Sequence, residues 1–159
     1  MKPKISILAF IPFLVFLLAS AFSAPRVDDQ KCLFCQMPIL KDTATIDYRI
    51  SLTSRGKTTA YRCVLCALAD AKDRKGDLTI VAATQMKGRS VQISRVAGKW
   101  SVSPETAVFV YAEGDHQQCE TRYRALTSSE AFKAYTASHP KVLQNAKLLT
   151  FAQFLKLAG

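Results

Sequence analysis

Histidine is scarce in this chain: among 159 residues only His116 and His139 carry an imidazole. A metal hydrolase would want histidine or carboxylate ligands around an open coordination position, so this scarcity argues against one. The six glycines form no phosphate-cradling loop. No nucleophile stands beside a recognisable base, and no pair of carboxylates shares a face. The expectation is a protein that is not an enzyme. Acidic residues are also few, 12 against 22 lysines and arginines, for a formal charge of +10. The basic residues (Arg49, Arg55, Lys57, Arg62, Lys72 and Arg74 among them) are scattered along the chain and gather in no block. That is the pattern of a solvated surface, and nucleic acid is not an expected partner. Such a charge steers association with acidic partners or an anionic membrane surface without dictating a fold. Repeats and low-complexity segments are absent too.

What is present begins at the N-terminus, where Lys2 and Lys4 precede a charge-free, largely apolar run from Ile5 to Phe22 that ends in small residues up to Ala24. This is the layout of a secretory signal peptide. Cleavage after Ser23 puts Ala21 and Ser23 at the two small positions; cleavage after Ala24 would leave Pro25 first and Phe22 where a small residue belongs. We therefore expect a signal peptide over residues 1–23 and an exported, periplasmic single domain over residues 24–159. Loss of Lys2 and Lys4, with every acidic residue kept, lowers the formal charge to +8. The alternative is an uncleaved anchor, because a run of about 18 apolar residues just reaches the length of a spanning helix. Only then does the membrane become a partner.

Past the leader, Ile46, Tyr48, Ile50 and Leu52 alternate with Asp47, Arg49 and Ser51, the period-two pattern of a half-buried strand. Ser54-Arg55-Gly56-Lys57 reads as a turn, with Thr58 to Arg62 returning as the partner strand. A helix is expected from about Cys63 to Lys72, terminated near Gly76. Strands follow at Leu78 to Ala83, Ser90 to Val96, Trp100 to Ser103, Ala107 to Ala112 and Arg122 to Leu126. Thr127-Ser128-Ser129-Glu130 has the form of a capping box, opening a helix that Pro140 stops, and Thr150 caps a second one. The fold class this predicts is α+β, an antiparallel sheet with packed helices.

The chemistry is concentrated in five cysteines, of which Cys32/Cys35 and Cys63/Cys66 form two Cys-x-x-Cys pairs and Cys119 stands apart. Two residues between thiolates let both sulfurs turn toward one point about 2.3 Å from a metal. The hairpin between the pairs would bring them together on one ion. Met37 bears on the choice of ion. Pro38 biases Met37 toward extended backbone, where residues i and i+2 point to the same side. Cys35 and Met37 would then offer a thiolate and a thioether, a soft pair that favours copper(I). Met37 reads equally well as a core side chain beside Ile39 and Leu40. Zinc is the alternative ion. Disulfides are the alternative fate of the pairs in an oxidising compartment, and a thiol-redox role is a further one. Haem attachment is excluded, because Gln36 and Ala67 stand where a histidine would have to follow. His116 and Cys119 are further candidate ligands, while His139, at a helix end, suits a C-terminal cation against the helix dipole.

The segment Cys35-Gln36-Met37-Pro38-Ile39 is similar to a motif of the NosL-like proteins, accessory proteins of nitrous oxide reductase assembly. The similarity continues in Thr59-Ala60-Tyr61-Arg62, in Ala107 to Tyr111 with Gly114, and in Ser128 to Tyr135 with His139 and Leu148-Leu149-Thr150-Phe151. The family motif usually has glycine where this chain has Gln36. The resemblance implies copper(I) delivery in the periplasm to a recipient metalloenzyme, with the ligands falling on Cys35 and Met37.

Overall fold

The computed structural model describes residues 30–158. The expected signal peptide and its cleavage point lie outside the described residues. Within them the fold is α+β, built from antiparallel sheets and helices.

The first strand expected from Ile46 is split into β1 (Ile46–Asp47) and β2 (Ile50–Ser54). Two carboxylates cause the break. Asp42 accepts from the Tyr48 N–H at 2.8 Å, and buried Asp47 accepts from the Arg49 N–H at 3.0 Å, so neither amide is left to a ladder. From Ile50 onward the alternation holds, with Ile50 and Leu52 buried. A two-residue turn with Arg55 at φ 51° and Gly56 at φ 74° joins β2 to β3 (Lys57–Tyr61). Two positive φ values are what a type I′ hairpin turn requires.

Helix α1 (Val64–Asp73) follows directly and turns Val64, Ala67, Leu68 and Ala71 inward, the i, i+3, i+4, i+7 stripe of an amphipathic helix. Its C-terminal carbonyls are capped from a distant strand: the Arg95 guanidinium donates to the carbonyls of Ala71 and Gly76, both at 3.0 Å, and of Arg74. Strands β4 (Leu78–Ala83), β5 (Gln85–Met86), β6 (Ser90–Val96) and β7 (Lys99–Ser103) come next. They complete a five-stranded sheet in the order β3-β2-β4-β6-β7, while β5 pairs with β1. One face of the large sheet, with Ile50, Leu52, Ile80, Val91 and Ile93, packs with α1 in the main core. Each such side chain contributes roughly 1.5–3 kcal/mol of burial.

A second, three-stranded sheet has the order β10-β8-β9, from β8 (Val108–Tyr111), β9 (Tyr123–Leu126) and β10 (Lys147–Leu149). Between β8 and β9 runs a 3₁₀ turn, His116–Gln118, continuing into the short helix α2 (Cys119–Arg122). Helix α3 (Ser129–Ser138) is capped by Ser128, one residue after the hydroxyl expected from the capping-box pattern. Helix α4 (Phe151–Leu157) has the full capping box of Thr150 with Gln153. Phe154 of α4 stacks on Phe109 of β8 at 5.0 Å, tying the second sheet to the main core. Among the described residues no helix is long and apolar enough to cross a membrane.

Candidate metal centre

The first cysteine pair sits on a backbone knuckle. Lys31 bridges to Pro38, the Cys32 N–H donates to the Met37 carbonyl at 2.9 Å, and the Gln36 N–H returns to the Cys32 carbonyl at 2.9 Å. The backbone N–H groups of Cys35, Arg62 and Phe34 point to the Cys32 sulfur, and that of Met37 to the Cys35 sulfur. Gln36 closes the knuckle at φ 60°, the left-handed region that glycine enters without a Cβ penalty. This revises the expected geometry: the chain turns at Gln36, so the i, i+2 alternation of an extended strand does not govern Cys35 and Met37. Met37 is half-buried beside the knuckle.

The second pair is set by α1. Cys63 is its N-cap residue, in extended backbone, and its sulfur accepts from the Cys66 N–H at 3.4 Å. Thiol capping of this kind leaves Cys63 and Cys66 with their sulfurs 3.3 Å apart. Cys119, the first residue of α2, brings the fifth sulfur. The ligand atoms form two triangles, Cys32/Cys35/Cys66 and Cys63/Cys66/Cys119, each with all its sulfurs within 4.8 Å of one another. Cys66 belongs to both. The four sulfurs of the two pairs do not form one set within 4.8 Å; with Cys119 they form two three-sulfur sets joined at Cys66. Cys32, Cys66 and Cys119 are fully buried, Cys63 is nearly so, and Cys35 alone is half-buried.

Arg62 locks the three cysteine-bearing segments together. Its guanidinium donates to the Pro38 carbonyl at 2.6 Å, to the Gln117 carbonyl at 2.8 Å and to the Glu120 carboxylate at 2.9 and 3.0 Å. The loop that carries Cys119 is held from its other end by Arg122, which donates to the Glu113 carbonyl and lies against Gly114, where a Cβ would stand 2.4 Å from the guanidinium carbon. From the sequence, Arg62 stands out only as the last residue of the Thr59-Ala60-Tyr61-Arg62 motif and Arg122 only as the start of an expected strand; neither carries a signal of its role at the site.

Mutual hydrogen bonding divides the thiols. The hydrogen bond from Cys66 lowers Cys32 to about 5, and hydrogen bonds from Cys63 and Cys66 lower Cys119 to about 3, with the charges of Arg62 and His116 adding to the effect. Cys66 is pushed up by donating to Cys119 and Cys32, and Cys63 by burial and then by its bond to Cys119. Burial also raises Cys35. Burial thus disfavours the thiolate at Cys35, the cluster sulfur nearest solvent. The arrangement suits inward coordination of a soft ion.

His116 is exposed, its ring edge-on to Tyr123 at 5.8 Å, and it belongs to neither triangle. His139 is the C-cap of α3, its Nδ1 3.1 Å from the Tyr135 carbonyl.

These features define a small α+β domain with a cysteine cluster able to hold a metal ion. No sequence-family model matches the chain, and no curated protein matches it. Solved structures do share its fold. One is the crystal structure of the mercury-bound form of MerB2, with a TM-score of 0.57 and 16% identity over 77% of this chain. The match takes in 62% of that protein's length, and at this identity it establishes the fold alone.

Proposed function

We propose that this protein is an exported copper(I) carrier, a NosL-like accessory protein that passes the ion to a recipient metalloenzyme. The observation that carries the reading is the convergence of five sulfurs from three separate segments into two triangles, one buried and one with the half-buried Cys35 at a corner, containing neither histidine nor carboxylate. Thiolates and thioethers select soft ions, and a structural neighbour is known in a mercury-bound form, mercury being another thiophilic metal. Three-sulfur sets fit copper(I) better than zinc, whose structural sites are almost always four-coordinate and tetrahedral. The raised thiol of half-buried Cys35 argues against a thiol-exchange role. Met37, next to the knuckle, is the further sulfur that the NosL-like motif offers.

Anaerobic titration of the reduced protein with copper(I) against a chromophoric chelator tests this. Tight binding, with sulfur-to-copper charge-transfer absorption and displacement of any zinc, is the expected result. Freshly isolated, unreduced protein with one free thiol and no metal would refute the carrier reading in favour of a disulfide-stapled protein. Zinc that copper(I) fails to displace would refute it in favour of a zinc-binding structural module.

A further inference from the structure

We propose that the cluster takes two copper(I) ions that share the Cys66 sulfur, an exchangeable one in the Cys32/Cys35/Cys66 triangle and a sealed one in the Cys63/Cys66/Cys119 triangle. This rests on the copper(I) reading above and assigns its stoichiometry and its traffic.

Geometry decides between one ion and two. A tetrahedral four-thiolate centre with metal–sulfur bonds of about 2.3 Å needs six sulfur–sulfur distances of roughly 3.8 Å. Here the sulfurs form two triangles joined at one corner, and among the described residues no fourth histidine, cysteine or carboxylate atom joins either set within 4.8 Å. A shared corner is natural for a thiolate, which has lone pairs enough to bind two soft ions at once. The framework is also fixed beforehand: backbone N–H groups already face the Cys32, Cys35 and Cys63 sulfurs, and Arg62 holds all three segments in place. At each sulfur that is still a thiol, coordination replaces the S–H bond by an S–Cu bond and releases the proton to solvent; a sulfur already present as thiolate binds directly, and no oxidation state changes.

The triangles differ in access. The first has the half-buried Cys35 at one corner, between Cys32 and the surface; the second has three corners with 1% exposure or less. An incoming chelator or partner thiol can displace a ligand of the first ion, whereas the second is reached only after local opening of the α1 and α2 ends.

The test uses the reduced protein and copper(I) itself. Native mass spectrometry should show saturation at two ions per chain. X-ray absorption should show sulfur-only coordination and a copper–copper shell inside about 4.6 Å, twice the metal–sulfur distance. An excess of a copper(I) chelator should remove one equivalent quickly and the other at least about tenfold more slowly. Cys35→Ser should abolish the fast equivalent and Cys119→Ser the slow one. Saturation at one ion, or loss of both ions at one rate, would overturn the two-ion arrangement and leave the carrier reading standing. Failure to bind copper(I) at all would overturn both. The wild-type stoichiometry and exchange rates decide the matter even if a variant fails to fold.

Discussion

Replacing Arg62 with alanine should damage this domain more than any surface charge change. The Arg62 and Glu120 side chains retain only 8% and 12% of their exposure, so the substitution strands a carboxylate in a mostly dry setting. Breaking a buried pair from one side costs about 3–5 kcal/mol. The carbonyls of Pro38 and Gln117 lose their donors at the same time, which places the expected loss near the upper end of that range. Typical domains have about 5–15 kcal/mol in total, so the variant should fold, but marginally. With a urea slope of about 2 kcal/mol per molar, a loss of about 5 kcal/mol moves the unfolding midpoint down by about 2.5 M, readable by circular dichroism under reductant. The companion measurement is a cycle with Glu120. Removing the carboxylate as well, in Arg62→Ala/Glu120→Leu compared with each single variant, should recover part of the loss because no buried charge is left alone. A midpoint within about 0.5 M of wild type for Arg62→Ala, or strict additivity with Glu120, would refute the view that this arginine clamps the cluster.

Met37→Leu keeps volume and apolarity, so the fold should persist, while copper(I) affinity should fall; an unchanged affinity would make Met37 a core residue. Gln36→Gly should be neutral or stabilising by up to about 1 kcal/mol, since it removes a left-handed non-glycine residue, and a clear loss in thermal unfolding would contradict this. Tyr61 is fully buried and donates to Asp70 at 2.5 Å while accepting from Arg74 at 3.1 Å, so Tyr61→Phe should cost about 1–2 kcal/mol in urea unfolding. Hydrogen bonds from Arg49 hold the Asp47 carboxyl down to about 2, below its ordinary 3.8. Its contribution is therefore present above about pH 4 and lost as the pH falls toward 2, and Asp47→Asn should flatten that limb of the acid-unfolding curve. Material recovered from the periplasm should begin at or next to Ala24 by N-terminal sequencing, and full-length chain in the membrane fraction would show a retained anchor.

Much of the fold was legible because its strands carry their own periodicity. β4 and β6 have the bounds that apolar alternation predicts, and the Arg55-Gly56 turn announces the β2–β3 hairpin. β5 and β10 were not legible, since strands of two and three residues carry no period and exist through partners distant in sequence. The 3₁₀ turn and α2 were hidden for the same reason: Asp115-His116-Gln117-Gln118 reads as a loop until Arg62 and Arg122 hold it from both sides. At the site, spacing identified the two cysteine pairs. The position of Cys119 depends on β8 and β9 being neighbours, which no local pattern encodes. Its sequence signals were that it is the odd cysteine of five and that it follows His116 by three residues, and His116 belongs to neither triangle.

Because the sulfurs come from the two ends of a long stretch of chain, any thiophilic ion that joins them through Cys66 acts as a cross-link. Cys32 and Cys119 enclose a loop of about 90 residues, and tying off a loop of that length removes roughly 4–5 kcal/mol of unfolded-state entropy in the chain-entropy account. Folding and loading are then linked equilibria. A loaded chain would resist unfolding and proteolysis, whereas an emptied one loses its staple and becomes the form that a protease cuts first, so the life of the protein would track its metal.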